Sequence, residues 1–86
     1  MNFDVSWSPE AEDELADLWL DATRRKDVTI ASRLLDVRLG RNAADEGESR
    51  GGDFRIAFEK PLAITFRVDL ATRKAVVTHV WLQGRG

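Results

Sequence analysis

Apolar and polar residues recur with two different periods along this chain, and the changes of period mark its elements. Phe3, Val5 and Trp7 alternate with Asp4 and Ser6, the period-2 pattern of a half-buried strand. Ser8-Pro9-Glu10 then announces a helix: Ser8 suits the cap, Pro9 the first helical position, and Glu10 the positive end of the dipole. Ala11, Leu15, Leu18, Trp19 and Ala22 share one helical face, with Glu12, Asp13, Asp17 and Asp21 mostly elsewhere. Arg24, Arg25 and Lys26 suit the negative end of that helix. Asp27 is expected to cap a second helix running to about Asn42. Its apolar residues Ile30, Ala31, Leu34, Leu35, Val37 and Leu39 cover roughly half the circumference at about 100° per residue. That arc is wide for a helix buried on one side, so either it packs on the first helix and the sheet together or part of it awaits a partner. Arg38 lies inside the arc and is expected to snorkel or to pair with an acid of the first helix.

Residues 43–53, with glycines at 47, 51 and 52, read as a loop, and Gly51-Gly52 as a flexible lead into the next strand. Phe54, Ile56 and Phe58 then alternate with Arg55, Ala57 and Glu59. After Lys60-Pro61, Leu62, Ile64, Phe66 and Val68 alternate with Ala63, Thr65, Arg67 and Asp69. Leu70-Ala71-Thr72 marks a turn, and a last strand runs from Lys74 to Leu82. There Val76, Thr78, Val80 and Leu82 are expected inward and His79 outward. The order β-α-α-β-β-β predicts an α+β two-layer domain over residues 1–86, with a helical hairpin on one face of an antiparallel sheet and the other face open.

Composition narrows the function classes. Eighty-six residues allow one small core, marginal enough to be completed by a partner. Cysteine is absent, which excludes disulfides and thiolate metal sites and fits a reducing, cytoplasmic setting. No apolar run approaches the ~18 residues of a membrane span, and the start MNFDVSW lacks a signal-peptide layout. No membrane and no small-molecule cofactor are therefore expected. The net charge of −2 is uneven: residues 1–46 carry six Lys and Arg against eleven Asp and Glu, a balance of −5. Residues 47–86 carry seven against four, a balance of +3. Tight nonspecific binding to nucleic acid is disfavoured by this total, whereas an acidic partner segment has a basic half to dock on.

The whole chain resembles the RelE/ParE superfamily of bacterial toxins. The likeness is carried by the strand and helix start WSPEAEDELADLW, a second amphipathic helix, the glycine-containing loop EGESRGGDFR, and the meander FRIAFEKPLAITFRVD followed by KAVVTHVW. The resemblance implies a toxin held inactive by a cognate antitoxin whose flexible acidic segment wraps it. It implies one of two targets: DNA gyrase, inhibited by binding alone, or mRNA cleaved on the ribosome. The antitoxin is expected on Ile30, Leu34, Arg55 and Trp81.

RNA cleavage without a metal needs a base, an acid and cations for the phosphorane. The candidates are His79, Arg55 and Glu59 for catalysis, and Arg50, Arg67 and Trp81 for RNA or another target. Histidine has the unperturbed pKa best suited to proton transfer at neutral pH, and Trp81 could stack on a base. Arg50 and Arg55 have a plainer alternative, tying the loop to acids of the helices. Two odd-length turns are open for the first hairpin. One sets Glu59 opposite Ala63 and Arg55 opposite Arg67; the other sets Asp53 opposite Arg67. A tight second hairpin sets His79 opposite Ala63, roughly 13 Å from Arg67, whereas a longer turn brings the two together. The chain has no tyrosine, only three lysines and a negative total. The reading therefore favours inhibition of a protein target over mRNA cleavage. A relative that keeps the partner but has lost toxicity is a third class.

Overall fold

Strand β1 (Asp4–Trp7) runs parallel to the last strand, and its end feeds directly into helix α1 (Pro9–Trp19). In the computed structural model, which describes residues 2–84, Ser8 joins these elements in two ways. Its hydroxyl accepts from the backbone N–H of Ala11 at 3.1 Å, so one of the orphan donors of the first turn is satisfied. The same hydroxyl donates to the carbonyl of Thr78 at 3.2 Å. The helix stops at Trp19, three residues short of the predicted face. Asp21 ends it: its carboxylate accepts from both the N–H and the hydroxyl of Thr23, a local turn that competes with further helix.

Helix α2 (Arg25–Asn42) begins two residues before the expected Asp27 cap and has no side-chain cap of its own. Arg25 instead serves the preceding helix. Its Nε donates to the carbonyl of Trp19 at 2.9 Å, and its guanidinium lies 4.4 Å from the centroid of the Trp19 ring. Trp19 shares the apolar helical face of Ala11, Leu15 and Leu18 and by that pattern belongs in the core. It is exposed, bridging the helices through its Nε1 to Thr29. Val28, Ala31, Leu35 and Leu39 form the buried stripe of α2, each larger side chain contributing roughly 1.5–3 kcal/mol by burial. Ile30, Leu34 and Val37 remain 47%, 44% and 55% exposed. The excess width of the apolar arc is thus real surface.

The predicted loop contains a short 3-10 turn over Ala43–Asp45 and a two-residue strand β2 (Glu48–Ser49). Gly47 between them has φ of +65°, and a Cβ there would lie 1.9 Å from the carbonyl oxygen of Ile56. Only glycine allows so close an approach. Strands β3 (Phe54–Glu59), β4 (Leu62–Asp69) and β5 (Lys74–Leu82) complete a five-stranded sheet of order β1-β5-β4-β3-β2. All its pairings are antiparallel except β1 with β5. Helices α1 and α2 pack on one face, and among the described residues no polar or charged residue is buried.

Both expected registers of the first hairpin are overturned. The turn is Lys60-Pro61, two residues, so Glu59 pairs with Leu62, Arg55 with Phe66 and Phe54 with Arg67. Opposed residues share a face. Because Leu62, Ile64 and Phe66 point under the helices, Arg55, Ala57 and Glu59 share that side. Phe54, Ile56 and Phe58 turn to the reverse face. The second hairpin turns over residues 70–73, with Asp69 opposite Lys74, and β5 carries a bulge at Thr78. The bulge changes which set of β5 is buried: Ala75 and Val77 before it, Val80 after it. The expected inward set holds for Val80 and Leu82 and fails for Val76 and Thr78.

Candidate functional site

The uncovered face of the sheet presents three rows of side chains. Phe58, Ala63 and Trp81 form one, Ile56, Thr65 and His79 the next, and Phe54, Arg67 and Val76 the third. In the first row Ala63 is fully buried although no helix covers it, because Phe58 and Trp81 stand on either side. Both aromatic side chains are themselves exposed. Thr65 and His79 of the second row and Phe54 and Arg67 of the third, with Thr78, floor an open groove of ≈ 610 Å³. Ser8 and Glu10 at the start of α1 form one wall and Arg50 forms the other.

The bulge sets this geometry. Thr78 interrupts the ladder, and its hydroxyl donates to the carbonyl of Thr65 at 3.1 Å while contacting the Thr65 hydroxyl at 2.8 Å. With that proton committed, the Thr65 hydroxyl is the donor of the second bond, and its lone pairs are left to the groove. His79 consequently pairs with Thr65 rather than with Ala63. Arg67 lies two residues from Thr65 on the same face, about 7–8 Å from His79 along the diagonal instead of the 13 Å expected from a tight turn. The Arg67 guanidinium is 5.7 Å from the centroid of Phe54, which holds it over the groove. Arg50 reaches the rim because its N–H donates to the carbonyl of Phe54 at 2.9 Å; its own guanidinium is only 3.9 Å from exposed Glu48.

His79 is exposed, as expected, and a residue from α1 meets it. Glu14 places Oε2 3.3 Å from His79 Nδ1 and accepts the N–H of Val80 on Oε1 at 3.0 Å. Glu14 carried no signal in the sequence: at about 100° per residue it lies in one acidic stripe with Glu10, Asp17 and Asp21, at the edge beside Leu18.

Arg55 and Glu59 do not join His79. Arg55 lies on the helix side and donates from Nε to the carbonyl of Glu46 at 2.7 Å and from Nη2 to that of Gly47 at 3.1 Å. It ties down the loop, but through those backbone carbonyls rather than the acids of the helices expected of it. Glu59 pairs with Arg38 at 3.1 Å. Arg38 also binds Glu46 at 2.7 Å and donates to the carbonyl of Phe58 at 2.7 Å, so its partners are the loop and β3 rather than α1. Partial burial alone would lower the pKa of this guanidinium, but the two carboxylates outweigh it and the pKa is raised. The candidate catalytic trio is thus divided between the two faces, whereas Arg50, Arg67 and His79 share one groove. No group of three or more potential metal ligands occurs among the described residues, and no helix among them is long and apolar enough to cross a membrane.

No family model matches the chain, and no curated protein matches it. Solved structures do. The toxin–antitoxin complex RelBE2 from Mycobacterium tuberculosis aligns with a TM-score of 0.80 at 14% identity, over 96% of this chain and 93% of that one. The chromosomal ParDE system of P. aeruginosa aligns with a TM-score of 0.64 at 18% identity, over 93% and 95%. The archaeal RelE-RelB complex from Pyrococcus horikoshii aligns with a TM-score of 0.56 at 18% identity, over the full length of both chains. At such identities the likeness is one of fold, and the fold of this chain is that of the RelE/ParE toxins.

Proposed function

We propose that this protein is the toxin of a toxin–antitoxin pair and that it cleaves RNA at the groove on its uncovered sheet face. The observation that carries the reading is the convergence of His79, Arg67 and Arg50 in one groove of a fold shared with RelE and ParE complexes. In a metal-free cleavage the RNA 2′-oxygen attacks phosphorus, the bond to the 5′-oxygen breaks, and a cyclic phosphate and a 5′-hydroxyl result. One proton leaves the 2′-hydroxyl and one reaches the departing oxygen. His79 and Glu10 are the proton-carrying groups at the groove, and Arg67 and Arg50 supply charge for the phosphorane. Phe54 and Trp81 offer rings on which bases stack.

Neutralisation follows from the other exposed apolar surface. Ile30, Leu34 and Val37 recur at i, i+4 and i+7 on α2; Arg41 continues that stripe, Lys26 and Arg33 border one side of it and Asp27 the other, a net basic surround. An acidic amphipathic segment of an antitoxin fits both its apolarity and its charge. Leu34→Glu is expected to leave growth arrest intact while weakening rescue by a co-expressed antitoxin. A second reading, inhibition of DNA gyrase by binding alone, is favoured by the exposed Phe58 and Trp81 beside the groove.

Expression from an inducible promoter tests these together. RNA cleavage predicts arrest that His79→Ala and Arg67→Ala relieve, with a labelled mRNA cut by wild type on bacterial ribosomes. Gyrase inhibition predicts loss of supercoiling in a reconstituted assay and arrest that survives His79→Ala.

A further inference from the structure

An exposed imidazole that moves protons needs one ring nitrogen held and the other directed at the substrate. On β5 the holding group comes from α1. Glu14 is pinned to the strand through Oε1, which takes the Val80 N–H at 3.0 Å, and this leaves Oε2 3.3 Å from Nδ1 of the neighbouring His79. An ionised carboxylate only accepts hydrogen bonds. Neutral His79 next to it therefore carries its proton on Nδ1 and keeps the Nε2 lone pair free.

We propose that Glu14 is a positioning residue for the RNA cleavage described above, on which this inference rests: it fixes the Nδ1–H tautomer of His79 and aims Nε2 at the groove. When Nε2 takes a proton, the ring becomes a cation beside a carboxylate that never leaves the strand, and the reverse transfer to a leaving oxygen uses the same atom. The end of β1 is part of the device: β1 pairs with β5 only as far as Val77, and α1, which follows it, then brings Glu14 to the Val80 N–H.

Glu14→Gln separates chemistry from shape. Glutamine has one acceptor oxygen. If that oxygen keeps the Val80 N–H, the amide NH₂ meets Nδ1 and the ring proton must move to Nε2. The same exchange of carboxylate for amide beside the histidine of a serine-protease triad lowers kcat about 10⁴-fold. A loss of about 10²–10⁴-fold in kcat with little change in KM is expected here. Glu14→Asp alters the shape more but keeps an acceptor-only group, so it is expected to retain more activity than Glu14→Gln.

The experiment is ¹⁵N NMR of the His79 ring at a pH where it is neutral, combined with cleavage of a 5′-labelled mRNA on stalled bacterial ribosomes. Wild type, Glu14→Gln, Glu14→Asp and His79→Ala are compared, each checked for wild-type thermal unfolding. The expected result is an Nδ1–H ring in wild type, an Nε2–H ring in Glu14→Gln, and the activity order wild type, Glu14→Asp, Glu14→Gln. A wild-type ring protonated on Nε2, one tautomer common to wild type and Glu14→Gln, or Glu14→Gln cutting as well as Glu14→Asp overturns the role of Glu14 while leaving the nuclease reading in place. Failure of wild type to cut overturns the nuclease reading itself, whereas cutting by His79→Ala at the wild-type rate overturns the part of His79 in it, and Glu14's with it.

Discussion

On the helix side of the sheet, Leu62, Ile64, Phe66 and Val77 are wholly buried beneath α1 and α2; on the reverse, Phe54, Phe58, His79 and Trp81 stand exposed on the same or neighbouring strands. Phe54 and Phe66 illustrate the contrast, since both are phenylalanines in paired strands. Phe66 removes its ring from water and stabilises the domain. Phe54 leaves its ring in water with Arg67 over it, which contributes little to folding and holds a cation beside His79. Phe54, Phe58 and Trp81 leave three rings in water on one face, and apolar side chains grouped in this way, unlike a lone exposed ring, mark contact with something else. One face thus carries stability and the other carries recognition and chemistry.

The sharpest way to break that division is to truncate both rings. Phe66→Ala is expected to cost about 3–5 kcal/mol, enough to unfold much of a small domain. Phe54→Ala is expected to stay within about 0.5 kcal/mol while lowering activity. Urea titrations of the two variants check this, and equal shifts in midpoint would contradict the division. A smaller effect is expected where the faces are joined. Ser8→Ala removes both the cap of α1 and the donor to Thr78, for about 1 kcal/mol, and it loosens the bulge that sets the His79 register. Faster amide exchange at Val80 than at Ile64 would show that local loosening.

The smallest effect belongs to the turn at residues 70–73. The N–H and hydroxyl of Thr72 hold the exposed Asp69 carboxyl below its usual pKa, the backbone contact contributing most. A carboxyl with a depressed folded-state pKa stabilises above its unfolded pKa and loses that contribution as the pH falls through the folded value. Wild type is therefore expected to melt slightly above Asp69→Asn near neutral pH. The gap should close on acidification below the ordinary aspartate range, as read by thermal melts across pH.

Much of the layering was legible in the residues themselves. The Ser8-Pro9 start of α1, the alternation of β4 and the over-wide arc of α2 all appear as expected, because each follows from local capping or from a single period. The face of β3 was not legible. Phe54, Ile56 and Phe58 form the more apolar set, yet the two-residue turn locks the parity of β3 to that of β4, and burial of Leu62 carries Glu59 with it. Arg55 and Glu59 are tolerated on the helix side because carbonyls of the loop and Arg38 satisfy them. In β5 both alternating sets are apolar, so a bulge costs no burial and leaves no trace in the pattern. That bulge decides where His79 stands. The meeting of Glu14 with His79, 65 residues apart in sequence, depends on how α1 lies along β5, which no local period encodes.

The most direct test of the central claim is the rate of cleavage of a 5′-labelled mRNA on bacterial ribosomes by wild type and by His79→Ala, with unfolding free energies measured on the same preparations. The account predicts a loss of about 10²–10⁴-fold at stability unchanged within about 0.5 kcal/mol. Equal rates at equal stability, or no cleavage by wild type, would contradict it.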